Sequence, residues 1–166
     1  MGGGTSSEVM KTVMAVLVAT MVLSACGGTA APGVAQGPDE KSEEWGPLAV
    51  VASPDGFDEA LIEGRLQVTE QCVFLDEQGE NVILVWPADR TTWNAGTRTI
   101  TFQNLDGEAV TLGAGDKVRM GGGGSSINED GVPNEEWAAG IEWVSPPAPS
   151  CVTETRWFVA EAEPVG

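Results

Sequence analysis

The sequence predicts an all-β fold. Short stretches of strand length either alternate apolar with polar residues or run continuously apolar, turn-forming pairs such as Asp106-Gly107 separate them closely, and no stretch carries the periodicity of a long amphipathic helix. About seven short strands spaced in this way point to a single small antiparallel barrel, OB-like, or to a sandwich. Patterning alone leaves those two open.

In chain order, residues 1–25 read as an export signal. Lys11 is followed by an uncharged run from Thr12 to Val22, well short of the roughly 18 apolar residues a membrane span requires. Leu23-Ser24-Ala25-Cys26 resembles the bacterial lipobox, with leucine three before the cysteine and small residues between. The resemblance implies a diacylglyceryl group on Cys26, cleavage between Ala25 and Cys26, and a mature protein lipid-anchored on the extracytoplasmic face of the cell membrane. Met1 to Val9 hold no basic residue and include Glu8, whereas Met10-Lys11-Thr12 opens a compact signal. Residues 26–46 are small and Pro/Gly-rich and then charged, too poor in apolar surface to offset the entropy of ordering, so they predict a lipidated flexible tether. Residues 47–166 remain as one β domain.

Leu48-Ala49-Val50-Val51 opens that domain as a first strand or an apolar patch beneath it, and Ser53-Pro54-Asp55-Gly56 ends it with turn chemistry. Ile62, Leu66 and Val68 share one parity, with Glu63, Gln67 and Thr69 on the other, the pattern of a half-buried strand. Cys72-Val73-Phe74-Leu75 and Val82-Ile83-Leu84-Val85-Trp86 are continuous apolar runs joined by a Gly-containing turn, the second stopped by Pro87. Ile100 and Phe102 face inward from the next strand and Val110 with Leu112 from the one after, across the Asp106-Gly107 hairpin. Lys117 to Met120 is a further strand. Gly121 to Ser126, GGGGSS, reads as a mobile loop rather than a strand interior. Asn134 to Ala139 suits one short helical turn, Ile141 to Val144 is a short apolar run, Ser145 to Ser150 is a stiff proline connector, and Val152 to Val159 forms a last strand.

The formal net charge of −17 repels phosphate backbones and anionic head groups. No nucleic-acid partner is therefore expected, and membrane attachment is left to the lipid. With Cys26 taken, Cys72 and Cys151 are the one remaining pair in an oxidising compartment, and the sequence predicts a disulfide between them. Closing a loop of about 80 residues stabilises a fold by roughly 4 kcal/mol on the chain-entropy account. Such a bond would join the two ends of the sheet order, as closing a barrel requires.

Histidine and tyrosine are both absent, which removes the commonest general base, the commonest transition-metal ligand and every Ser-His or Cys-His arrangement. Carboxylates remain. Glu70, Asp76, Glu77 and Glu142 flank predicted strands, and a pair of such groups in a cleft can hydrolyse glycosidic bonds. No cofactor is required by the sequence. A calcium site is the one candidate, built from Asn128, Asp130, Glu135 and Glu136, although the EF-hand template fails because Trp137 falls where its last ligand belongs. Among six tryptophans, Trp86, Trp143 and Trp157 are expected to pack, while Trp93 in a polar run and Trp137 beside the acidic loop are expected to face a ligand.

Residues 60–160 are similar to small extracytoplasmic β domains of actinobacterial lipoproteins. The likeness is carried by Glu63-Gly64-Arg65-Leu66, Gln71-Cys72-Val73-Phe74-Leu75, Leu84-Val85-Trp86-Pro87, Gly113 to Gly124, and Cys151 with Trp157-Phe158-Val159. It implies export and the disulfide and brings no catalytic residue. The expected function is a lipid-anchored, non-enzymatic module of the cell envelope that binds a small ligand or an envelope protein. A carboxylate-dependent hydrolase and a spacer lipoprotein without a ligand are the alternatives. Precursor accumulated under a lipoprotein signal peptidase inhibitor should begin at Met10 by mass spectrometry; a species retaining Gly2 to Val9 would refute that start.

Overall fold

The computed structural model describes residues 44–53 and 60–166, without the side chains of Ile127 and Asn128. The export signal, Cys26 and most of the tether lie outside the described residues. Trp45, assigned above to the tether, packs partly buried against the main core, and its carbonyl accepts a hydrogen bond from Leu48 N–H at 3.1 Å. The fold therefore begins before residue 47.

Ten strands are present among the described residues: β1 Ala49–Val51, β2 Ala60–Val68, β3 Val73–Glu77, β4 Glu80–Pro87, β5 Thr91–Asn94, β6 Thr99–Gln103, β7 Ala109–Leu112, β8 Lys117–Ser126, β9 Trp143–Ser145 and β10 Thr155–Pro164. Two short helices, α1 Ile127–Asp130 and α2 Asn134–Ala139, stand between β8 and β9. Strands β2, β3, β4, β10 and β8 pair in that circuit, and β8 returns to β2, so the sheet closes into a five-stranded barrel. Every pairing in the circuit is antiparallel except β4 with β10, which is parallel. This is the OB-like barrel rather than the sandwich, and its closing seam is not antiparallel.

Alternation sets the inner wall. Ile62, Leu66, Val73, Leu75, Val82, Leu84, Trp86, Val118 and Met120 all lie in the main core. The continuous apolar runs have a different cause. Phe74 and Ile83 point outward into a second, smaller core with Ala49, Cys72, Trp137 and Cys151, so β3 and β4 are covered on both faces. Strands β5, β6 and β7 form a separate antiparallel sheet that brings Ile100, Phe102 and Leu112 into the main core, with the Phe102 ring edge-on to Trp86 at 5.6 Å. The polar run Thr91 to Asn94 is a strand because Thr91 is buried while Thr92 and Trp93 pair with Thr101 and Ile100.

The largest departure from expectation is the glycine run. GGGGSS is the second half of β8, paired residue by residue with β10 from Ser126 opposite Thr155 to Gly122 opposite Val159. At positions 122 and 124 the β10 main chain and the Trp157 ring leave no room for a side chain: an added Cβ would stand 2.0 Å from the Phe158 carbonyl oxygen and 3.1 Å from Trp157 Nε1 at Gly122, and 2.1 Å from the Arg156 carbonyl oxygen and 2.9 Å from Trp157 Cε3 at Gly124. Gly122 also adopts φ +148°, which L side chains rarely take. Beyond Val159 the register shifts at Ala160, a bulge that returns Ala162 to the inner face. The carbonyl of Ala160 accepts from Arg90 Nη1 at 2.8 Å, and Asn104 exchanges two hydrogen bonds with Ala162, so the second sheet is latched to β10 at its bulge.

Cys72 and Cys151 are bonded. The bond does not close the barrel, which main-chain pairing of β4 with β10 closes; it ties the β2–β3 turn to the 3-10 turn Pro149–Cys151 on the outside. Replacing Gly122 by alanine should lower the urea midpoint by the equivalent of at least about 3 kcal/mol, through clash and strain together. The control Gly79→Ala, at φ +96° with open space around it, should cost about 1 kcal/mol.

Candidate functional site

The connection from β8 to β10 folds back across the outer face of β3 and β4. Val132, Ala138, Ile141, Trp143, Ala148 and Val152 pack there partly buried against the second core. That outer face is where OB barrels take oligonucleotides and oligosaccharides, and here the chain's own connection covers it. A ligand on this side of the barrel therefore meets the outer surface of the connection.

Two residues set the geometry of this cover. Arg156, only 7% exposed, points out of the barrel from β10 and lies over the Trp137 ring, its guanidinium carbon 5.1 Å from the centroid. Its Nη2 pairs with Asp130. Asp130 also accepts from the Ser125 hydroxyl at 2.7 Å and from Val132 N–H at 2.8 Å. The Val132 amide, then the Ser125 hydroxyl, with Arg156 adding its charge, hold the Asp130 carboxyl below the usual aspartate range.

The described members of the expected calcium set are not gathered. Asp130 is committed to Arg156, Glu135 and Glu136 stand exposed on α2, and among the described residues no three His, Cys, Asp or Glu side chains gather as metal ligands. The side chain of Asn128 lies outside the described atoms. Of the expected ligand-facing tryptophans, Trp137 is turned inward and Trp93 only partly so. Trp137 is 6% exposed and belongs to the second core, and Trp93 is half-buried against the main core with its ring over Gly46. The polar sequence neighbourhood of Trp137 is misleading because the helical turn directs its ring inward, while strand pairing packs one side of Trp93 against the main core.

The aromatic that does border open space is Trp143. It stands half-buried on β9, edge-on to Trp137 at 6.0 Å, and its Nε1 donates to the Ala138 carbonyl at 2.8 Å. With Asn134, Ala138, Pro146, Pro147, Pro149 and Val152 it lines a hollow of about 440 Å³, which the exposed Glu135 borders. A second hollow, of about 460 Å³, shares Asn134 and Val152 with the first. It is polar, lined by Glu80, Asn81, Thr153, Glu154 and Thr155. The proline connector could have signalled the first hollow in the sequence. Nothing in the sequence placed it beside Trp143.

Of the carboxylates considered for hydrolysis, Glu77 lines a hollow together with Glu129, and the others lie elsewhere on the surface. Asp76 closes the β3–β4 turn, accepting from Gly79 N–H at 2.9 Å and from Gln67 Nε2 at 3.3 Å, while Glu70 and Glu142 are exposed. Glu63, beside Lys117 and Arg119 on the barrel surface, is held low chiefly by its hydrogen bond to Lys117. Both shifts run opposite to the upward one that a general acid requires.

Fold and surface together define a class: a disulfide-tied OB-like barrel whose β8–β10 connection covers the usual face and carries an apolar hollow on its outside. Compared with family models, curated proteins and solved structures, the chain finds no match.

The Asp130 contribution to stability has a defined pH window. Because the folded carboxyl is held low, the contribution is whole above the unfolded value of about 3.9 and is lost as pH falls through the lower folded value. Asp130→Asn should therefore unfold at lower urea than the native chain at pH 7, with the gap closing below about pH 4. A gap that persists unchanged at pH 2 would remove the ionic account.

Proposed function

We propose that the chain is a lipid-anchored, non-enzymatic binding module on the extracytoplasmic face of the cell membrane, and that it engages another envelope component through the hollow beside Trp143. The single observation that carries the binding reading is that hollow: an apolar concavity with one fixed aromatic wall. Trp143 is oriented by a hydrogen bond and by Trp137, so little rotamer freedom remains to be lost on contact. The prolines opposite it are equally stiff. Preorganised aromatic and proline walls favour binding because their ordering cost is met in folding.

The anchoring reading rests on Leu23-Ser24-Ala25-Cys26, and the Cys72–Cys151 bond agrees with an oxidising compartment. The net negative charge gives no electrostatic attraction to anionic lipids, so a covalent lipid is the means of attachment consistent with the composition.

Cys26→Ser should release the chain from the membrane fraction and abolish incorporation of a clickable fatty acid. A photo-crosslinking amino acid at position 135, on the rim of the hollow, should trap a discrete envelope partner in living cells. The same group at position 89, on the exposed turn after β4, should not. Equal labelling from both positions, or none from either, would sink the binding reading.

A further inference from the structure

The hollow beside Trp143 and its polar neighbour adjoin, since Asn134 and Val152 line both, and they differ in chemistry. One offers Trp143, Ala138 and three prolines; the other offers Glu80 and Glu154 among small polar side chains. Among the described residues, no lysine or arginine lines either. The reason extends over the whole domain, since each described cation is engaged elsewhere. Arg65 donates to Gly115, Arg98 to Val68, and Arg90 to Gln103 and Ala160. Lys117 and Arg119 pair with Glu63 and Glu163, and Arg156 with Asp130. No described ion pair reaches Glu80, Glu154 or Glu135, and all three are exposed.

Resting on the binding reading above, we infer that the paired hollows take one extended peptide segment of another protein, with an apolar or proline residue against Trp143 and a lysine or arginine nearby held by Glu80 and Glu154. An extended chain suits two adjoining compartments because its side chains follow one another at about 3.3 Å per residue. Charge complementarity selects the cation: a basic side chain meets uncompensated carboxylates, whereas an acidic one meets repulsion from the hollow and from the domain. Asn134, on the shared wall, has a side-chain oxygen that no donor of the described residues reaches. A segment with apolar residues alone would leave the acidic compartment unused, so the two compartments together specify the ligand.

The test is selection of a random nonapeptide library against the full mature chain held in a nanodisc by its lipid. Recovered peptides should be enriched in lysine or arginine within a few positions of proline, leucine or an aromatic residue. The best of them should bind at least about tenfold more weakly to the double variant Glu80→Lys, Glu154→Lys, whose changes lie on exposed positions. They should also lose about tenfold on Trp143→Ala and regain part of it on Trp143→Phe, which separates loss of the ring from loss of the local fold. Affinity should fall as salt rises from 50 to 300 mM, as screening of a charge contact requires. Recovery of peptides without a basic bias, or with a bias the charge reversal leaves unchanged, overturns the inference. So does recovery of none. If position 135 still traps a partner in cells while no basic peptide is recovered, the binding module stands and its peptide specificity falls; if both experiments fail, both readings fall.

Discussion

The Trp157 ring enters the barrel only because β8 presents no side chains opposite it. A five-stranded barrel has little interior, and an indole is among the largest bodies that can fill it. With any residue larger than glycine at position 122 or 124, the added carbon would collide first with a β10 carbonyl oxygen, of Phe158 or Arg156, and then with the ring. The ring fixes the register of β10 on β8. That strand then fixes much else. Its other edge pairs with β4 and closes the barrel, the bulge at Ala160 receives Arg90 from beside the second sheet, and Arg156 reaches outward to Asp130 and Trp137. A register slip of one residue would turn Arg156 into the barrel and Trp157 out to solvent.

What the sequence made legible follows from this geometry. Strands with one wet face, such as β6 and β7, alternate and were readable. The apolar runs of β3 and β4 were readable as strands, and their continuity reflects the cover on their outer face. The glycine run was misread because a strand is recognised by the side chains it carries, whereas the second half of β8 is defined by a side chain supplied from β10. No local pattern contains that information, since Gly124 and Trp157 meet only across a long connection. The 91–94 segment escaped for a related reason: its polar residues become strand only when β6 pairs with them.

The site shows the same division. The cysteine pair was legible from arithmetic and compartment, but its role was not. Cysteine count says that two residues meet, not which surface they hold together, and here they fasten the cover rather than the barrel. Trp137 looked exposed by its neighbours in sequence, yet a short helix turns one face inward whatever flanks it. Trp143 looked like core and is the half-exposed ring at the hollow, because β9 is a three-residue edge strand with little to bury it.

Charge links the fold to the proposed specificity. A chain with few cations and many carboxylates must choose where its cations go. Here they sit against main-chain carbonyls and a handful of carboxylates, where they latch strands and the cover. Such placements use a cation as a local fastener, and at exposed pairs like Glu63 with Lys117 each is worth little by itself. Their collective effect is on what remains. The residual carboxylates at the polar hollow are then not matched from within the described residues, and an apolar wall alongside them is unusual company for solvated charge. An external cation attached to an apolar body would satisfy both compartments at once, and a peptide segment carries those two groups at adjustable separation.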